Sequence, residues 1–173
     1  IESWAQQNAS EYELLIRSIG NASNDPRMFT IYGLENIVSD ESAMHRFNIV
    51  KGEIPTIGQN PPQVLIDEGM ASEFEWDVSD TVKISQGSAE IEVEVTGIVR
   101  ELERTMVFYR TDYAPITGWD ANGIRLTFDE GQQLDDDVRS LTSVVITKED
   151  LLTGFDEILK QQKSIMMTTY MIG

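Results

Sequence analysis

Hydrophobic residues near the start of the chain recur at helical spacing. Between residues 2 and 19 they fall three or four positions apart, which would place them along one stripe of a helix: Ala5, Ala9, Tyr12, Leu15, Ile16 and Ile19. Gly20 is typical of a helix end, and residues 21–26 have the composition of a loop. We therefore predict an N-terminal helix over residues 2–19.

The middle of the chain has patterns that are typical of β-strands. Strands are predicted at residues 28–34, 64–66, 81–85, 90–99, 106–110 and 123–128. In the strand 90–99, one face is predicted to be buried and to carry Ile91, Val93, Val95, Gly97 and Val99, and the other to be solvated and to carry mainly glutamates. Asp67 is well placed to cap a short helix over residues 68–75, and Thr111 is placed to cap another that Pro115 limits.

The last quarter of the chain is predicted to be largely helical. A weak helix at residues 135–141 and a strand at 143–147 precede a long helix over 148–170. The apolar end of that helix is far shorter than the ~20 residues that a membrane span requires. The order of elements predicts an α+β domain, with a mixed or antiparallel β-rich core, short helices and a helix at each terminus.

Charge and composition exclude several classes of function. The chain has 30 acidic and 13 basic residues and a net charge of −17, which repels nucleic acid and anionic lipid. This charge favours a highly soluble surface, and a site for a cation is the alternative. Because cysteine is absent, disulfides, thiol catalysis and cysteine-based zinc sites are excluded.

Candidate catalytic and metal-binding groups lack partners in the sequence. His45 is the only histidine and has no nucleophile motif nearby. The acidic residues 129–130 and 135–137 lack the glycine and terminal glutamate of an EF-hand loop, and no glycine-rich phosphate-binding motif is present. We therefore predict no catalytic residue, cofactor or metal, with any ATP hydrolysis located elsewhere. For five aromatic residues core positions are favoured, and a binding surface is the alternative: Trp4, Trp76, Trp119, Tyr109 and Tyr113.

Three segments of the chain carry a resemblance to a known family. They are residues 49–55 (IVKGEIP), residues 64–71 (VLIDEGMA), and residues 78–84 (VSDTVKI) together with 93–99 (VEVTGIV). In this order and spacing, residues 29–118 resemble the periplasmic core domain of MacB-like and FtsX-like ABC transporter permeases. The chain departs from the family pattern at Ser79, where glycine is expected, and at Glu53, where arginine is common.

Four residues of these segments have structural interpretations of their own. Gly52 and Pro55 fit a tight turn. Asp80 can cap the turn before its strand, and Gly97 within a strand indicates a bulge or a close backbone approach. We expect all four to be structural rather than catalytic.

The resemblance implies an extracytoplasmic domain inserted between two membrane spans. Residues 1–28 and 148–173 would then be juxtamembrane stalks, and residues 29–147 the periplasmic-core-like domain. The chain begins with Ile1, so we expect the natural polypeptide to start upstream. The implied partners are a cytoplasmic ABC ATPase subunit, a second copy of the permease or a homologue, and an extracytoplasmic protein. The implied function couples ATP-driven motion to export or release of a lipid, lipoprotein, peptide or drug.

Two other classes of function remain open from the sequence. One is a stand-alone exported module for binding or adhesion, whose acidic face would meet cations or basic partners. The other is a hydrolase with paired carboxylates, which would need two acids held about 5–9 Å apart. Nothing in the sequence singles out such a pair.

Overall fold

A computed structural model of the chain describes residues 2–129 except 42, 44 and 45, and residues 131, 134–140, 145 and 153. The chain divides into two compact units, one over residues 2–129 and one over 130–173 with residue 1. The elements of the first unit are α1 (Glu2–Asn8), β1 (Glu11–Ala22), β2 (Met28–Leu34), β3 (Ile49–Gly52), β4 (Gln63–Asp67), α2 (Glu68–Phe74), β5 (Thr81–Gln86), β6 (Ala89–Val99), β7 (Thr105–Tyr109), α3 (Arg110–Thr117) and β8 (Gly123–Thr127). In the second unit, the described residues include α4 (Asp136–Arg139).

Six strands of the first unit pair in a closed ring. The ring runs from β1 to β2, β7, β4, β6 and β5, and the end of β1 then pairs with β5. The pairs β2–β7 and β4–β6 are parallel and the others in the ring are antiparallel. Outside the ring, β8 pairs with the first residues of β1, and β3 pairs with the last residues of β6. This mixed sheet with short helices confirms the predicted α+β class.

The inner face of the ring carries the main hydrophobic core, which we call the inner cluster. Each ring strand contributes to it, and α2 and α3 add Met70 and Tyr113. Its members are Ile16, Phe29, Ile31, Val64, Ile66, Met70, Val82, Ile84, Val93, Val95, Ile98, Met106, Phe108 and Tyr113.

The outer face carries a second core, the outer cluster, under residues 35–54. Its members are Leu34, Ile37, Phe47, Leu65, Val99 and Val107. Ile49 and Ile54 pack against it from the same stretch of chain. We call the described residues of this stretch (35–41, 43 and 46–54) the cover segment, because they close the outer face of β2, β4 and β7.

The predicted N-terminal helix is wrong beyond Asn8. Residues 11–22 form β1, in which Ile16, Ser18, Gly20 and Ala22 are buried at every second position. Ile19, which the helical pattern placed on a buried stripe, is 53% exposed. The helical spacing of the apolar residues was coincidental, because pairing with β8, β2 and β5 in turn decides the structure of this segment.

The predicted alternation along residues 90–99 holds only as far as Val95. The pairing partner of β4 then jumps from Val95 to Gly97, which makes Thr96 a bulge. Beyond the bulge the faces exchange, so that Ile98 joins the inner cluster and Val99 the outer cluster. The prediction that Gly97 and Val99 share the face of Val95 is therefore wrong.

Of the three short helices of the first unit, α2 and α3 differ in how well they match their predictions. The one after Asp67 is confirmed as α2, since an Asp67 carboxylate oxygen accepts from the backbone N–H groups of Gly69 (2.7 Å) and Met70 (3.3 Å). The cap predicted at Thr111 is wrong, because α3 begins at Arg110 after Tyr109, without a side-chain cap bond.

Toward the C-terminus, the described residues test only part of the prediction. The weak helix predicted at 135–141 is present as α4, over Asp136–Arg139. The predicted strand at 143–147 and the long helix at 148–170 lie outside the described residues, apart from the single positions 145 and 153. The assignment of 1–28 and 148–173 as stalks stays a prediction, although β1 brings residues 11–22 into the sheet.

Candidate functional site

The turn after β3 and the turn before β5 meet at the Thr96 bulge. In the pairing of β3 with β6, Gly52 lies opposite Gly97. The backbone N–H of Glu53 donates to the Thr96 carbonyl (2.9 Å), and that of Ser79 donates to the Val95 carbonyl (2.7 Å). The structure thus brings together three segments that are far apart in sequence.

Two glycines allow these backbones to approach. Gly52 has a φ of +79°, and a Cβ there would collide with the Thr96 carbonyl oxygen. A Cβ on Gly97 would lie 2.6 Å from the carbonyl oxygen of Glu53 and 2.7 Å from Leu65 Cδ2. The contact between the cover segment and β6 therefore requires glycine on both sides. Pro55, which was predicted to share a tight turn with Gly52, is buried.

Asp80 holds the turn before β5. Its carboxylate accepts from the backbone N–H of Asp77 (2.7 Å), and its own N–H donates to the Asp77 carbonyl (3.1 Å). Ser79 between them has a φ of +75°, in the region that favours glycine. This backbone conformation gives a physical reason for the glycine that the resemblance predicts at this position.

These three segments, together with Gln63 of β4, line a polar cleft of about 360 Å³, which we call the motif cleft. It is lined by Gly52, Glu53, Gln63, Val78, Ser79, Glu94, Val95 and Thr96. The Gln63 amide nitrogen donates to Glu94 (3.1 Å), while its oxygen accepts from the backbone N–H of Thr56 (2.9 Å). Outside the lining, Lys51 Nζ lies 2.5 Å from an Asp77 carboxylate oxygen, and it lowers the pKa of Asp77 together with a backbone bond from Val78.

The ionisable side chains that line the motif cleft are carboxylates. Its lining has two carboxylates, and it has no His, Lys or Cys to act with them. Within the part of the chain that the structure describes, no three His, Asp or Glu side chains are grouped to hold a metal ion. The only histidine, His45, lies outside the described residues.

A second cleft, of about 440 Å³, lies on the outer face of β1 and β2. Beside the buried Phe29 it is lined by six residues that we call the open patch, namely Arg17, Ile19, Met28, Thr30, Glu103 and Arg104. Sequence reasoning missed this patch, because a helix over residues 2–19 does not place Arg17 and Ile19 beside Met28. The sequence signal that could have revealed the patch is Arg17 with an apolar residue two positions away on each side, Leu15 and Ile19.

An ion-pair network borders the open patch. Arg27 bonds Asp25 (2.5 Å) and Glu73 (3.2 Å), and Arg104 also bonds Glu73 (2.8 Å). The Arg27 guanidinium lies 4.6 Å from the ring centre of Phe74. Chiefly through its side-chain bond to Arg27, this network lowers the pKa of Asp25 to about 2.

The aromatic residues weighed as a binding surface do not share one environment. Tyr113 is fully buried and stacks on Phe108 at 4.6 Å between ring centres. Trp76 is partly buried and stacks on Phe74, whereas Trp119 is 46% exposed.

The fold defines the class of protein to which the chain is similar. This fold is similar to that of an extracellular domain solved from an ABC-type transporter. The extracellular domain of the noncanonic ABC-type transporter YknZ from Gram-positive bacteria superposes with a TM-score of 0.53 and 14% identity, covering 77% of this chain and 70% of that one. The periplasmic region of MacB from Actinobacillus actinomycetemcomitans gives a TM-score of 0.45 at 14% identity, covering 81% of this chain and 67% of that one.

Comparisons of sequence add nothing to this likeness. No protein-family model matches the chain, and no curated protein matches it. The resemblance predicted from the three segments is confirmed at the level of the fold. Among the described residues, no helix is long and apolar enough to cross a membrane.

Proposed function

We propose that this domain is the extracytoplasmic part of an ABC transporter permease. It couples ATP-driven motion of membrane segments to the export or release of a substrate, or to a partner protein, and it has no catalytic activity of its own. The observation that supports this most is the fold shared with the extracellular domain of YknZ. A cytoplasmic ATPase and a second permease copy complete the assembly in this proposal.

The path of β1 supports a role in coupling. α1 is joined to the sheet by an edge-on contact between Trp4 and Phe128 (6.1 Å between ring centres) and by the bond from the Ser10 N–H to the Thr127 carbonyl (2.8 Å). From there β1 pairs with β8, then β2, and finally β5. A displacement applied at the N-terminal end is therefore transmitted by one continuous strand to three others.

Labelling of single cysteines in the intact permease tests the location of the domain. The domain has no cysteine, so Ser88→Cys, in the exposed β5–β6 turn, introduces its only thiol, and any cysteine elsewhere in the permease is first replaced. We expect a membrane-impermeant maleimide to label it in whole cells or spheroplasts, with Ser18→Cys, at a buried position, as the matched unlabelled control. Labelling of Ser88→Cys only after lysis, or recovery of the parent protein as a soluble species, would overturn the proposal. Recovery outside the membrane with calcium-dependent heat of binding would instead support the stand-alone acidic module.

Spin labels test the coupling. With nitroxides at Ser10→Cys and Ser88→Cys in the intact transporter in liposomes, we expect the distance distribution to differ between the nucleotide-free and ATP-trapped states. The pair Ser72→Cys and Ser88→Cys, both on exposed positions distant from α1 in sequence, serves as the control that should change less. Identical distributions for the first pair in both states would show that the domain does not rearrange with the nucleotide state, and would contradict this coupling.

A further inference from the structure

The outer face of the sheet continues past the edge of the cover segment. In the β1–β2 pairing, Arg17 lies opposite Tyr32 and Ile19 opposite Thr30. Tyr32 packs against the outer cluster, whereas Ile19 is 53% exposed and Met28 is 65% exposed. The same strand faces are therefore covered at one end and open at the other.

Arg17 differs from the other basic residues of the first unit. Residues 2–129 contain nine of them, and eight lie within 3.8 Å of a carboxylate oxygen: Arg27, Arg46, Lys51, Lys83, Arg100, Arg104, Arg110 and Arg125. For Arg17 the described residues provide no carboxylate, and its Nε donates only to the Tyr32 hydroxyl, at 3.4 Å. With respect to the part of the chain that the structure describes, this exposed guanidinium thus keeps most of its donors free, on a chain of net charge −17.

We propose that the open patch binds an extended segment of a partner protein that carries an acidic residue two positions from an apolar one. The carboxylate pairs with Arg17, and the apolar side chain packs on Ile19 and Met28. Arg17 and Ile19 are themselves two positions apart on one strand face, about 6.5–7 Å along the strand. An extended segment with the same two-residue repeat matches that spacing.

The charges around the patch select one acid rather than many. Glu103 also lines the patch, beyond β2 from Arg17, and Arg104 is already bonded to Glu73. A second acidic group beyond β2 would therefore meet Glu103. The net charge of −17 also repels polyanions, anionic membranes and a second copy of this chain. This binding surface does not depend on the transport function proposed above.

Two peptides test the proposal on the intact, isotope-labelled chain. Acetyl-Glu-Thr-Leu-amide has the acidic and apolar residues two positions apart, and acetyl-Gln-Thr-Leu-amide removes only the charge. In an NMR titration we expect saturable shifts at Ile19, Met28, Thr30 and the Arg17 Nε–H. Because an exposed ion pair contributes little, the glutamine peptide should bind about twofold to fivefold more weakly.

Variants separate the roles of charge and apolar surface. Arg17→Gln should abolish the preference for the glutamate peptide, and Arg17→Lys should keep part of it. Arg46→Gln, at an exposed arginine outside the patch, should leave it unchanged. Ile19→Thr should weaken both peptides. Thermal unfolding of each variant checks that the fold is retained.

Four results of the titrations would overturn the proposal. These are equal binding of the two peptides, shifts confined to other surfaces, a preference that survives Arg17→Gln, and Arg17-dependent shifts with sodium decanoate but not with the glutamate peptide. The last result would assign the patch to fatty anions. Sedimentation that shows a dimer lost in Arg17→Gln would likewise replace the partner segment by a second copy of the chain.

Discussion

The outer face of the ring has two halves that differ in burial, although β2 runs through both. In the covered half, Leu34 at the end of β2 is 4% exposed beneath the cover segment, whereas Met28 at the start of the same strand is 65% exposed. Both residues are apolar, and both belong to a regular strand. Burial on this face is therefore decided by the segment that lies over the sheet, and not by the hydrophobicity of the strand itself.

The largest expected effect is a difference in stability between two isoleucine variants, one in each half. Ile37 of the cover segment is 3% exposed and Ile19 of the open patch is 53% exposed. We expect Ile37→Ala to lower the free energy of unfolding by about 2–4 kcal/mol, because it removes buried methyl groups and leaves a cavity. Ile19→Ala should cost about 0.5 kcal/mol or less. Urea unfolding of both variants measures the difference, and similar losses would break the distinction between the halves.

The contact between the cover segment and β6 should have the next largest effect. Gly52 and Gly58 share a φ of +79°, but a Cβ would collide with the Thr96 carbonyl only at Gly52, since nothing lies within 4 Å at Gly58. Gly58→Ala should cost about 1 kcal/mol from the left-handed backbone alone. Gly52→Ala should cost about 2–3 kcal/mol, since overpacking adds to that strain. Equal losses in thermal or urea unfolding would show that the close approach contributes nothing.

An ion pair fastens the start of the cover segment to the sheet and should have an intermediate effect. The Glu13 carboxylate pairs with Arg125 directly opposite on β8 and accepts from the Asn36 backbone N–H (2.8 Å). Glu13 is 6% exposed, so Glu13→Gln should cost about 1–2 kcal/mol by leaving Arg125 without its charge partner. The matched variant is Glu11→Gln, at an exposed position of the same strand, which should change stability little. Faster amide exchange near Asn36 in Glu13→Gln alone would localise the effect, and its absence would contradict the anchoring role.

These contrasts also explain which parts of the fold the sequence could predict. The β5–β6 hairpin and the capped helix α2 depend on neighbours in sequence, and both were predicted correctly. The bulge at Thr96 depends on the turn at Gly52 and on the shifted register with β4, so strict alternation assigned Val99 to the wrong face. β1 was mistaken for a helix, because its apolar residues fit a helical repeat while its pairing partners lie up to about a hundred residues away.

The candidate sites also differ in how far the sequence could predict them. Gly52 and Gly97 were singled out because each is an unusual residue in its local pattern, and the structure places them opposite each other. Arg17 was not singled out, since on the predicted helix an arginine on the exposed face is ordinary. Its distinguishing feature, an exposed guanidinium without a described carboxylate partner, depends on where every acidic side chain of the sheet lies.

The smallest expected effect lies at the border of the open patch, where exposed ion pairs replace a hydrophobic cover. Bonds from Arg27 lower the pKa of Asp25 from its ordinary 3.8 to about 2. The ionised carboxylate is thus favoured by folding, so this stabilisation is complete above pH ~3.8 and is lost as the pH falls through about 2. In NMR titrations we expect the Asp25 carboxyl to titrate near 2 in the native chain and closer to 3.8 in Arg27→Gln, with Asp77, which pairs with Lys51, unaffected. Because Asp25 and Arg27 pair at the surface, where solvent screens the charges, unfolding between pH 4 and pH 2 should differ only slightly between the native chain and Asp25→Asn. A large difference would mean that this border is held as firmly as the covered half, so that the two halves of the outer face would not differ in stability.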